Sequence, residues 1–217
     1  MRTLVIDCAT EACSVALFDG VRLLAADHRM LARGHAERLV PMIAALPDRG
    51  KAARIAVAMG PGSFTGVRIG LATARALALV WDAQVVGYPT LALVAAMALA
   101  ARDSGAASQP VDVVMTGGHG EWFVQGFDHA GHALAPLSSI TPQQAASTLN
   151  APLAAGSQAE ALVAQRGSGA ALALWPDARQ FPLLAPDWLD PHPAPLYGRA
   201  PDAKLPGGAG VSQDRRQ

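Results

Sequence analysis

Aromatic side chains are scarce: Phe, Trp and Tyr make up 5% of the 217 residues. A surface that reads unpaired bases needs rings on which to stack them, so a free-standing RNA binder is disfavoured. Charge is thin and balanced, with 17 basic against 17 acidic side chains. No global field therefore draws the chain toward nucleic acid, an anionic membrane or an acidic partner. Cysteine is nearly missing. Cys8 and Cys13 lack zinc-ligand spacing and have no second pair, and they read as small apolar residues left unbridged in a reducing compartment. The longest uncharged apolar run, Leu91 to Ala101, is too short for a bilayer, which takes about 20 residues. With no basic leader or small-residue cleavage site at the start, the expectation is a cytoplasmic protein with no membrane partner.

What is present is apolar, 51% of the chain, enough for a substantial core. Thr3–Asp7 reads as a buried strand, and Asp19-Gly20 between two apolar runs is a hairpin signal. Leu39, Met42, Ile43 and Leu46 recur at helical spacing, which predicts a helix over His35–Leu46 disturbed near Pro41. Ile55–Met59 is a second buried strand feeding a glycine-rich turn and a long helix over Ser63–Trp81. Val85-Val86 makes a short strand, and Leu91–Arg102 a helix capped by Thr90.

The order then begins again. Val111–Met115, Glu121–Phe127 and Ala133–Leu137 read as a second meander, followed by a helix from Thr141 to Leu149, a strand at Leu153–Ala155, a helix at Ala159–Gln165 and a strand at Leu172–Leu174. A meander entering strand–helix–strand units, written twice, predicts two lobes of the actin-like ATPase class (ASKHA, ribonuclease H-like), α/β with duplicated mixed sheets covered by helices. The lobes are expected over residues 1–103 and 104–200, joined through a linker at 104–110. A disordered tail is expected over 201–217, and eight prolines from Pro176 to Pro206 forbid a long helix near the end.

The chemistry-bearing candidates are incomplete. Gly60 to Gly66 joins a strand to a helix as a phosphate-gripping loop would, but Gly66 is followed by Val67-Arg68, with no lysine for terminal phosphates. Gly66, Gly70, Ala74 and Ala78 recur every four residues and make a ridge without bulky side chains. That ridge serves either a tight contact inside the chain or a docking surface for a partner. Asp7 and Thr10, after the first strand, either face a cleft as a metal–nucleotide site requires or cap a turn; the corresponding second-half segment, Met115 to Glu121, has no aspartate straight after its strand. The six histidines form no helical His-x-x-x-His pair with a neighbouring acid, so no metal site is expected. Neither Gly62-Ser63-Phe64 nor Gly156-Ser157-Gln158 completes a nucleophile elbow, and no catalytic set emerges.

Taken together, "IDCATEACSVAL", "GHAERLVPMI" and "GPGSFTGVRIGLATARALA" resemble the TsaB family, also called YeaZ. The match is dense over residues 1 to 100, and later is carried by element order and by Pro195-Leu196-Tyr197-Gly198-Arg199. Where the family commonly has Asp-Ala-Arg-x-Gly-Glu-Val-Tyr, this chain has Thr116 to Phe123, without that aspartate or arginine.

The resemblance implies a non-catalytic, degenerate paralogue of the metal-bearing subunit TsaD. It implies pairing with TsaD as a heterodimer through the first two helices, with the ATPase TsaE joining them. The assembly moves threonylcarbamoyl to adenosine 37 of tRNAs, which this chain meets only indirectly. No cofactor is then required by the chain itself, although ATP or ADP at the subunit junction is compatible with the resemblance. Carried onto this sequence, the docking residues are His35, Leu39, Met42, Ile43 and Leu46 on the first helix. Phe64, Gly66, Val67, Gly70, Leu71, Ala74 and Ala78 follow on the second. Homodimerisation through the same helices when no partner is present is a third reading that the sequence leaves open. The competing function is an independent enzyme, either a nucleotide-dependent phosphotransferase using Asp7 and Thr10 or an M22-like peptidase.

Overall fold

The computed structural model describes residues 1–102 and 109–198. β1 (Arg2–Asp7), β2 (Ala12–Asp19) and β3 (Arg22–Met30) form an antiparallel meander. Gly20, at φ +60°, supplies the left-handed turn that closes the β2–β3 hairpin. α1 (His35–Ala44) crosses to β4 (Arg54–Ala58), which lies parallel to β1, and α2 (Phe64–Trp81) crosses to β5 (Gln84–Tyr88), parallel to β4. The first sheet therefore runs β3-β2-β1-β4-β5.

The second half repeats this. β6 (Val111–Thr116), β7 (Trp122–Phe127) and β8 (Ser138–Ile140) make the meander. α4 (Pro142–Thr148), β9 (Leu153–Ala155), α5 (Ala159–Arg166) and β10 (Ala170–Leu172) complete a sheet ordered β8-β7-β6-β9-β10. Identical connectivity in two mixed five-stranded sheets is the actin-like arrangement expected from the element order. α3 (Thr90–Ala100) joins the halves. It is apolar on every face, Leu91, Leu93 and Val94 are fully buried, and its core extends from Leu4 of the first sheet to Phe127 of the second.

Local chemistry sets the ends of these helices. Ser63 caps α2, its Oγ accepting from the Gly66 N–H at 3.3 Å. Thr141 and Gln144 form a reciprocal capping box on α4, with Pro142 in its first turn. Thr90 does not cap α3. The helix starts one residue earlier than a threonine cap requires, at an N-cap on Pro89, and the Thr90 Oγ1 is buried without a partner among the described residues.

One further expectation is corrected, and the absence of a long helix in the proline-rich segment among the described residues agrees with the sequence. The third strand of the second meander is Ser138–Ile140 rather than Ala133–Leu137; only Ala133 contributes an isolated bridge, to Phe127. Pro136, inside the expected strand, has no N–H to give to a ladder. The proline-rich segment after β10 turns back onto the first sheet in short 3-10 turns at Ala178–Leu183 and Pro186–Trp188. There the Ala178 N–H donates to Ser14 Oγ at 2.9 Å, Phe181 packs on Tyr88, and Asp190 and Gly87 exchange backbone hydrogen bonds. The expected linker at 104–110 falls mostly outside the described residues, and the expected tail at 201–217 falls wholly outside them.

Candidate functional site

A cleft of about 1070 Å³ opens between the two sheets. Its first wall is the turn after β1 with the N-terminal turns of α1 and α2; its second is the end of β6 from Met115 to His119, and Leu196 to Gly198 close one side.

The glycine-rich loop stands in this wall but is turned inward. The Ser63 N–H donates to the Ala9 carbonyl at 2.6 Å. A Cβ on Gly62 would fall inside the Ala9 carbonyl, and one on Gly66 inside the Cys8 carbonyl. Glycine is needed at 62 and 66 so that the loop and first helical turn can lie on the backbone that follows β1. A phosphate has no part in that requirement.

The same geometry decides the small-residue ridge. Gly66, Gly70, Ala74 and Ala78 face the chain's own sheet; a Cβ on Gly70 would stand 3.0 Å from Cys8 Sγ and 3.4 Å from Val57. Val67 and Leu71 fill the core beside them, as do Leu39, Met42, Ile43 and Leu46 from α1 and the residues just after it. His35 is buried as well and lines the cleft. Of the expected docking positions only Phe64 is exposed, at 52%. The ridge is therefore an internal contact, because β1 and β4 come so close to α2 that larger side chains have no room.

Asp7 and Thr10 are separated in the same way. Thr10 lines the cleft, its Oγ1 accepting from the Ala12 N–H at 3.2 Å. Asp7 is 1% exposed and does not reach the cleft. One of its oxygens accepts from the Ala9 N–H at 3.1 Å, and the other lies 3.2 Å from the Tyr88 hydroxyl, itself 3.2 Å from the Ile6 carbonyl. Burial pushes the Asp7 carboxyl up to about 7, against the pull of those two hydrogen bonds. The Tyr88 hydroxyl thus stands between the Asp7 carboxyl and the Ile6 carbonyl, within hydrogen-bond distance of both. The carboxylate that this turn does give the cleft is Glu11.

Across the cleft, Thr116, Ser157 and Gln158 satisfy one another: Ser157 Oγ accepts from the Thr116 N–H at 3.0 Å, and Gln158 Nε2 donates to Thr116 Oγ1 at 2.9 Å. Among the described residues no three His, Cys, Asp or Glu side chains are grouped to hold a metal ion.

With its ridge turned inward, α2 points Thr65, Ala72, Ala76, Leu79 and Val80 outward; Leu79 is 87% exposed and Val80 77%. Val40, Ala36 and Ala44 lie exposed on α1. An uncharged, largely apolar stripe at helical spacing thus faces solvent on the side opposite the sheet.

Known proteins place this geometry. The family described as "TsaD: tRNA N6-adenosine threonylcarbamoyltransferase" matches residues 29–182. The solved structure of YeaZ from Pseudomonas aeruginosa superposes with a TM-score of 0.73 at 26% identity, over 90% of this chain and 99% of that one. The chain belongs to the TsaB/YeaZ family. The tRNA threonylcarbamoyladenosine biosynthesis protein TsaB of Escherichia coli is 44% identical over 97 residues, 42% of this chain and 41% of that protein, so the match spans less than half of that relative. The uncharacterized protein Mb3455c of Mycobacterium bovis is 30% identical over 211 residues, 93% of each chain. Within the TsaB/YeaZ fold as it stands here, the two helices singled out in the sequence are present, and all the residues named on them except Phe64 are turned into the chain's own core. The sequence reading did not single out the exposed Leu79 and Val80, nor Arg68, which donates to Tyr197, nor Arg75, which donates to the Pro193 carbonyl. A signal was available: positions 65, 69, 72, 76 and 79 form a second uncharged stripe on the same helix, flanked by two arginines seven residues apart.

Proposed function

We propose that this chain is a non-catalytic subunit of the assembly that transfers threonylcarbamoyl to adenosine 37 of tRNAs, and that it docks the metal-bearing TsaD subunit through the outward faces of α1 and α2. The observation that carries the reading is the orientation of α2. Its small residues fasten it to its own sheet, which leaves Thr65, Ala72, Ala76, Leu79 and Val80 presented to solvent as an uncharged stripe. Burial of such a stripe stabilises an association by about 25 cal/mol for each Å² removed from water, before the costs of association. Family membership supports the pathway, since the Escherichia coli relative is named for threonylcarbamoyladenosine biosynthesis. The TsaE ATPase joins the same assembly, and tRNA is reached through it.

The phosphotransferase reading loses its support, because Asp7, the carboxylate it needs at the cleft, is sealed beneath Tyr88. The deciding experiment measures binding of the purified chain to purified TsaD. Leu79→Arg places a charge at the centre of the stripe and is expected to weaken pairing at least about tenfold while leaving thermal unfolding unchanged. Undiminished pairing by that variant would count against the reading.

A further inference from the structure

Arg68 and Arg75 stand two helical turns apart on one flank of α2, about 10 Å along its axis, beside the outward stripe. Both are exposed, and among the described residues neither meets a carboxylate. Each is instead held in place by a neutral acceptor on the C-terminal segment. Arg68 donates from Nε and Nη2 to the Tyr197 hydroxyl at 3.1 and 3.0 Å, and its guanidinium lies over the Phe64 ring, 3.6 Å from the centroid. Phe64 stacks on Tyr197 with centroids 5.3 Å apart. Arg75 donates from Nη2 to the Pro193 carbonyl at 2.7 Å.

The segment that holds them is itself closely fitted. The Leu196 N–H donates to the Met59 carbonyl at 2.8 Å, a Cβ on Gly87 would stand 2.7 Å from Pro193, and one on Gly198 would stand 2.5 Å from the Phe123 ring. Two guanidinium groups are thus held by neutral acceptors, with donors to spare and no carboxylate partner among the described residues. An arginine held in this way loses little freedom when it pairs with a carboxylate, so the usual entropic penalty on a surface ion pair is reduced.

We propose that the docking face continues across this flank, and that the TsaD subunit covers it with two carboxylates about two helical turns apart, one for Arg68 and one for Arg75. This rests on the reading of the chain as a TsaD partner. Charge complementarity selects that occupant over a second copy of the chain, which brings arginines to the interface at these positions. The exposed rings of Phe64 and Tyr197 form the apolar edge of the same contact.

The test is the affinity of the full chain for TsaD at about 50 mM and about 500 mM sodium chloride. Arg68→Gln and Arg75→Gln are each expected to weaken binding about five- to tenfold at low salt and to flatten its salt dependence; Tyr197→Phe, which keeps the ring but loses the acceptor, weakens it about two- to threefold. If Arg68→Gln loosens the C-terminal segment and lowers the melting temperature, Arg75→Gln, with its single bond to a carbonyl, carries the test alone. Binding within about twofold of the parent by Arg75→Gln, while Leu79→Arg still disrupts pairing, overturns the arginine contact and spares the partner reading. Leu79→Arg and Arg75→Gln both pairing normally overturns both. Self-association of the parent chain in sedimentation, lost in the arginine variants, assigns the flank to a second copy and overturns the choice of TsaD.

Discussion

Cys8 and Gly66 lie backbone to backbone: the Cys8 thiol donates to the Gly66 carbonyl at 3.2 Å, and the Cys8 carbonyl occupies the space a Gly66 side chain would need. This contact seats the first turn of α2 on the end of β1. It fixes which side of the helix is inside, and so which side is left exposed to solvent.

Substitution along the ridge should therefore act on folding before it acts on any association. Gly66→Ala meets backbone that cannot yield and is expected to cost about 3 kcal/mol or more, read as a loss of roughly 6–12 °C in melting temperature. Gly70→Ala meets the Cys8 thiol and a Val57 methyl and costs about 1 kcal/mol. A bulkier Gly70→Leu is expected to unfold the chain rather than to release a partner from a folded monomer. A folded Gly70→Leu protein with parental stability would contradict the internal seat.

Asp7 predicts a pH dependence with a definite sign. Its folded-state value is raised to about 7 by burial, against roughly 3.9 for a free aspartate, so the folded chain holds the proton more tightly than the unfolded one. Its stabilising effect is fully present below pH ~4 and is lost as pH rises through about 7. Asp7→Asn keeps the acceptor for the Ala9 N–H and a polar group beside Tyr88 without carrying a charge. Chemical denaturation should show this variant more stable than the parent by on the order of 2–4 kcal/mol at pH 8, with the difference vanishing near pH 4. Equal stabilities at pH 8 would mean that Asp7 is ionised in the fold at no cost.

The second sheet holds its own buried charge. Arg166 lies 3.5 Å from Asp112 and also donates to the Leu149 and Ala151 carbonyls, both side chains being nearly inaccessible. Burial raises the Asp112 carboxyl against the opposing pull of the Ala151 N–H and Arg166. Arg166→Leu leaves that carboxylate unpaired and is expected to cost about 3–5 kcal/mol at pH 8, less at pH 4 where Asp112 accepts a proton. A cost independent of pH would show that Arg166 acts through its bonds to the carbonyls instead.

Calorimetric titration of ATP and Mg²⁺ into the isolated chain separates a subunit from a phosphotransferase. With Asp7 enclosed, neither sub-micromolar binding nor turnover is expected. Turnover abolished by Asp7→Asn would return that carboxylate to the chemistry.

The order of elements was legible in the chain because it is written locally. The Asp19-Gly20 turn, the helix start at Thr141-Pro142 and the periods of α1 and α2 each depend on neighbours within a few residues, and together they specify the repeated sheet. The family was legible too, since α1 and α2 carry two of the segments that mark it. The face that α2 turns outward was not. Its small residues and its Leu79 stripe are both uncharged and both periodic, so the choice between them belongs to whatever backbone lies against the helix. Only the fold supplies that backbone, by bringing Cys8 to Gly66 across 58 positions, and only the fold carries Tyr197 to Arg68 across 129. Local spacing determined what each segment would become; close approach between distant segments decided which surfaces were left to function.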